Sequence, residues 1–163
     1  MRLKYFSYKK KQGRGAGEIS ISFALDGRML GETLAVTAAV LLLLTVVALA
    51  LPWEDLPKSR SLCTVLKLLF SGLAAAVAEE IFFRGWMQPM LRVRFSAAVS
   101  IVAVNLVFAP LHLIAAPYFI SLLTFFPGLI MGWLRERYGS ILPSIIFHFL
   151  GNIWAICFFP SPF

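Results

Sequence analysis

Charged side chains are scarce in this sequence. Aspartate, glutamate, lysine and arginine together make up 14% of its 163 residues, too little for a soluble domain, where about a quarter is usual. Acidic residues are the scarcer sign, 8 against 15 lysines and arginines, which leaves a net charge of +7. The basic residues gather at the N-terminus and in short loops. That placement suits the anionic cytoplasmic face of a bilayer and argues for lipid, with no nucleic acid, as the contact. There are two cysteines, Cys63 and Cys157. They lie far apart in apolar surroundings, so two buried free thiols are expected rather than a disulfide. No CxxC or other cysteine pair has metal-ligand spacing, and HExxH, internal repeats and low-complexity segments are all absent. What the chain has in abundance is apolar: 60% of residues are hydrophobic and mean hydropathy is +0.83. That balance belongs to a membrane protein.

The apolar runs predict an all-α fold, a polytopic membrane bundle of about five transmembrane helices. Residues 1–32 read as a basic cytosolic tail, with a short strand or interfacial turn over Ile19 to Leu25. Residues 33–60 read as a membrane anchor helix over Thr33 to Leu51 followed by a polar loop. Residues 61–163 form the core. Its helices are expected over Ser61 to Gln88, Ser96 to Ala115, Tyr118 to Leu134 and Leu142 to Phe159. Pro89 to Phe95 and Arg135 to Ser140 are expected as basic turns, with Gly139 as a helix stop and Pro143 in a first turn. With five spans, the tail, Arg92/Arg94 and Arg135/Arg137 fall on one side. The positive-inside rule puts that side, and the N-terminus, in the cytoplasm and the C-terminus outside. Compact size and the lack of organelle-targeting features point to a prokaryotic plasma membrane.

One short stretch breaks the apolar pattern: Ala78-Glu79-Glu80-Ile81-Phe82-Phe83-Arg84. Ionisable residues at membrane depth are costly and usually functional. On a helix Glu80 and Arg84 are spaced i, i+4 and can pair. Glu79 points about 100° away and has no local partner. A simple ion pair has no need of it, so Glu80–Arg84 reads as a brace and Glu79 as the working group. The only two histidines, His112 and His148, also lie in apolar runs. His148 and Asn152, at i, i+4, share a face. Counting 1.5 Å per residue, Glu79 and His112 both sit roughly 25 Å from the Arg94–Phe95 turn. His148 sits roughly 15 Å from the Arg135–Tyr138 turn by the same rise. All three reach one depth if the Arg84–Arg94 end projects from the membrane by about 10 Å.

These motifs, EExxxR at Glu79-Glu80-Arg84, FxxxH at Phe108-His112 and HxxxN at His148-Asn152, resemble the set of the CPBP family of intramembrane proteases, whose members include type II CAAX prenyl endopeptidases and bacteriocin-processing or immunity-related proteins. Phe126-Pro127-Gly128-Leu129 and Gly132-Trp133-Leu134-Arg135-Glu136-Arg137 are also similar to the family, and the likeness covers roughly residues 65 to 158. The chain is near the family's minimal size, with the extra N-terminal helices expected to be missing or reduced to one.

Peptide hydrolysis needs a nucleophilic water, a base and an oxyanion site. A carboxylate in a low-dielectric site suits the base, and Glu79 takes that role. His112 orients the same water, and His148 with Asn152 donates to the oxyanion. Phe108 packs to shape the pocket, while Pro110 and Pro117 kink or break the third helix. The resemblance implies the same roles. No cofactor is favoured; the alternative is zinc held by Glu79, His112 and His148 with a position open for water. The expected substrate is a membrane-anchored protein or peptide, of CAAX type or with a C-terminal anchor. Two other classes compete. A silent scaffold or immunity protein of the same fold has no need of Glu79, and a proton-relaying transporter would spread its polar residues along a path.

Overall fold

The computed structural model describes residues 21–50, 59–115, 117 and 119–158. Five helical rods account for nearly all of them. α1 spans Gly27–Ala50 and α2 spans Leu62–Arg92. α3 spans Ala97–Ala115, α4 spans Phe119–Tyr138 and α5 spans Leu142–Phe158. α1 to α4 are long and apolar enough to cross a membrane, and α5 is a shorter apolar helix. The fold is the expected all-α membrane bundle.

Polar caps set where the helices start. The Asp26 carboxylate accepts from Met29 N at 2.8 Å, so α1 begins at Gly27 rather than at Thr33, and its first turns lie in the stretch expected as tail. Ser61 caps α2 by accepting from Thr64 N, and Ser96 accepts from Val99 N ahead of α3. Gly139 ends α4 in the left-handed region at φ 62°, its N–H on Arg135 O. Pro143 lies in the first turn of α5, as read from the sequence.

Two expected turns are helical instead. Arg135 to Tyr138 continue α4, because Arg135 Nε donates to Arg84 O and Arg137 reaches Glu32, which also takes the Tyr138 hydroxyl. Pro89 to Arg92 continue α2 through a wide π-helical turn over Ile81–Met87, in which Gln88 N–H reaches back to Phe83 O. A proline ring clashes with the carbonyl four residues before it in a regular helix. The widened turn just ahead of Pro89 accommodates that ring. Pro110 lies inside α3, which runs unbroken to Ala115. Neither cysteine is disulfide-bonded, but Cys63 is exposed and Cys157 half-buried, so the expected burial of both thiols does not hold. Most of the basic tail, the Pro52–Lys58 loop and Phe159 lie outside the described residues.

α5 is the hub, packing against α1, α2 and α4, while α3 packs on α4. The buried core joins Phe83, Val104, Phe108, Met131, Leu134 and Phe147. Ser22 O accepts from Ile141 N and from the Ser140 hydroxyl, so the extended segment before α1 is tied to the α4–α5 turn.

A polar ladder joins α2 to α4. Arg84, Gln88 and Arg92 project from α2; Gly128, Gly132 and Glu136 receive them from α4. Arg84 Nη2 donates to Gly128 O, Gln88 Nε2 to Gly132 O and Glu136 Oε1, and Arg92 Nε to Glu136 Oε2. The same glycines let α3 approach the other side of α4. A Cβ on Gly128 would stand 1.9 Å from Asn105 Oδ1, and one on Gly132 2.8 Å from Ile101 Cγ2. Small residues four apart are a common device for close helix packing in membranes.

Candidate functional site

Successive side chains on a helix diverge by about 100°, and this divides the two glutamates. Glu80 turns inward and is fully buried, whereas the Glu79 side chain is 35% exposed. Glu80 Oε1 accepts from Arg84 Nη1 at 3.0 Å, and neither side chain is exposed. This is the pairing expected from their spacing. The guanidinium makes two further bonds, to Asn105 Oδ1 at 3.1 Å and to Gly128 O at 3.0 Å, and lies 4.4 Å above the Phe108 ring. An isolated charge at such a place costs several kcal/mol, and this shell of acceptors offsets that cost.

α5 brings His148 onto the pair. Its Nδ1 is 2.9 Å from the same Glu80 Oε1, and its Nε2 is 3.9 Å from Glu79 Oε2. With Glu80 ionised against Arg84, the carboxylate accepts and Nδ1 donates. Nε2 is thereby turned to Glu79. One oxygen of each carboxylate, Glu79 Oε2 and Glu80 Oε2, is buried with no hydrogen-bond partner in the protein.

This meeting fixes the relative heights of α2 and α5. Glu80 lies about 18 Å before the end of α2 and His148 about 9 Å after the start of α5, at 1.5 Å per residue. The end of α2 therefore overhangs the start of α5 by roughly 9 Å.

The remaining residues join less directly. His112 Nδ1 donates to Phe108 O at 3.0 Å, four residues back on α3. The Phe108 ring stands edge-on to both imidazoles, with centroids 4.5 Å from His112 and 5.9 Å from His148. His112 thus reaches the group through Phe108, with no hydrogen bond to either glutamate among the described residues. Asn152 Nδ2 donates to Gly72 O at 3.0 Å, so one of its two amide hydrogens is committed to α2. Zinc ligation would need Glu79, His112 and His148 together. Among the described residues no three histidine, cysteine or acidic side chains gather in that way. The donors do not fit a zinc set.

Sequence reasoning gave no site role to Asn105, Gln88, Gly128 or Gly132. The signals were present: Asn105 is a polar residue in an apolar run, three before Phe108 and seven before His112, and Gly128 and Gly132 are four apart.

Compared with known proteins, residues 61–154, more than half of the chain, match the family model described as type II CAAX prenyl endopeptidase Rce1-like. No curated protein and no solved structure matches.

Proposed function

Because this chain belongs to the Rce1-like family of type II CAAX prenyl endopeptidases, a family of intramembrane proteases acting on protein substrates, we propose that Glu79 is the general base of its hydrolysis. The observation that carries this is the buried, unpartnered Glu79 Oε2 beside His148 Nε2. A water placed there meets a carboxylate that no other protein group occupies. His112, whose Nδ1 proton is given to Phe108 O, offers an Nε2 lone pair to orient that water.

The steps follow. Glu79 takes a proton as the water oxygen bonds to the scissile carbonyl carbon. The carbonyl π pair moves onto oxygen. His148, through Nε2, and the second amide hydrogen of Asn152 donate to that oxyanion. As the tetrahedral centre collapses the C–N bond breaks, and the proton held by Glu79 passes to the leaving amine. Glu80 and Arg84 hold His148 in place throughout. We read the reaction as independent of metal, on the donor geometry above. The substrate is a membrane-anchored protein or peptide, of CAAX type or with a C-terminal anchor. We read residues 61–163 as the protease core, and residues 1–32 and 33–60 as a tail and an anchor with its loop.

The test is Glu79→Gln, which keeps shape and removes the base. Cleavage of a prenylated peptide in proteoliposomes is expected to fall by about 10²- to 10⁴-fold, with the protein folded and with no response to chelators in wild type. Full activity in the variant would overturn Glu79 as base, and loss of wild-type activity on chelation would restore the zinc reading. Identical membrane-protein termini in cells carrying wild type and variant, with the variant rescuing a deletion, would favour the scaffold.

A further inference from the structure

We propose that Asn105 is a positioning residue for this active site: it fixes the Arg84 guanidinium and, through it, the Glu80–His148 pair. Its kinetic arm rests on the peptidase reading above; its spectroscopic arm does not.

Asn105 is fully buried on α3, where an unpaired amide is costly. Its Nδ2 donates to Ile101 O at 2.8 Å, one turn back on its own helix. That bond sets the amide plane and turns Oδ1 toward Arg84, whose Nη2 it accepts at 3.1 Å. Gly128 leaves the space for this oxygen. Arg84 Nε is buried without a partner, so the guanidinium takes its orientation from Nη1 on Glu80 and from Nη2 on Asn105 and Gly128.

The next link is Glu80. Its Oε2 has no protein partner, and its Oε1 is shared between Arg84 Nη1 and His148 Nδ1. A shift of the guanidinium therefore moves the acceptor that turns His148 Nε2 toward Glu79. Asn105, Phe108 and His112 also share one face of α3 at i, i+3 and i+7, so the contact that seats Arg84 holds that face against the site. A mere interhelical tie would add a little stability and leave the chemistry alone.

Two substitutions in the full-length protein separate these roles. Asn105→Leu is of similar size and has no acceptor; Asn105→Asp keeps the shape and the acceptor and gives up the bond to Ile101 O, the Arg84 charge then orienting the carboxylate. In proteoliposomes, kcat on a prenylated peptide is expected to fall on the order of 10²-fold in N105L with KM unchanged, and to recover most of that loss in N105D. The chain has only two histidines, so ¹⁵N-histidine spectra, assigned with His112→Gln, read His148 Nδ1 alone. Its signal is expected to leave the hydrogen-bonded position in N105L and to hold it in N105D. If N105L does not accumulate, Asn105→Ser, too short to reach Arg84, reads the same two quantities. Wild-type kcat with an unmoved His148 signal in N105L, or no recovery in N105D, would overturn the proposal. If Glu79→Gln keeps full activity the peptidase reading fails, and the histidine spectrum still decides the case of Asn105.

Discussion

At the scale of single residues, Arg84 bears the most consequence. It bonds to Glu80, Asn105 and Gly128 and stacks on Phe108, so its removal strands a carboxylate inside the bundle. Arg84→Ala is expected to cost about 3–5 kcal/mol and to lower the yield of folded protein. Arg84→Lys keeps the charge, but one ammonium cannot reproduce the planar fork, and it should fall between the two. Thermal aggregation in detergent ranks the three; equal midpoints would show that the pair is not a brace. The Glu80–Arg84 contact was legible in the sequence because i, i+4 spacing lies within one helix. The bond from His148 to Glu80, rather than to Glu79 alone, was not legible. Nor was the commitment of Asn152 to Gly72 O. Both depend on how far α5 is rotated against α2, which no local spacing specifies.

At the scale of elements, the α3–α4 contact depends on a missing side chain. Gly128→Ala would put a methyl 1.9 Å from Asn105 Oδ1, so either α4 moves away or Asn105 lets go of Arg84. Gly151, on α5, has open space around its Cβ position and serves as the control. Gly151→Ala is expected to leave stability unchanged or raise it by up to about 1 kcal/mol, whereas Gly128→Ala should lower the melting midpoint and the activity together. Similar midpoints for both would mean the approach is looser than the distances imply. The sequence marked five apolar runs, and five helices formed. It misplaced their ends wherever a partner elsewhere in the bundle prolonged a helix. Arg135–Tyr138 stay helical because Arg84 O and Glu32 hold them, and neither contact is local.

For the whole molecule, charge asymmetry and helix count were legible from composition and run length alone. We read the N-terminus, the Arg92/Arg94 turn and the Arg135/Arg137 end of α4 as cytoplasmic, and the C-terminus as outside, in a prokaryotic plasma membrane. Cys63 opens α2 on the other side and is exposed. A membrane-impermeant maleimide added to intact cells should therefore modify Cys63. A thiol introduced by Arg94→Cys should stay unmodified until the cells are lysed. Modification of R94C from outside would invert the topology. The relative heights of α2 and α5 were legible only as a condition, because a sequence gives distances along helices and never the offset between them.

The π-helical turn over Ile81–Met87 makes one part of this chain sensitive to length as well as to chemistry. Each residue of a regular helix advances by about 100°, so a stripe at every fourth position winds away by about 40° per step. The wide turn takes up about one such residue, and so Arg84, Gln88 and Arg92 stay in file along α4. Inserting one residue between Arg84 and Gln88 would remove no member of that file. It would turn everything beyond it by about 100° and leave Gln88 and Arg92 facing lipid. Homologous chains should therefore hardly gain a residue between Arg84 and Gln88, and should lose one only where the wide turn closes with it.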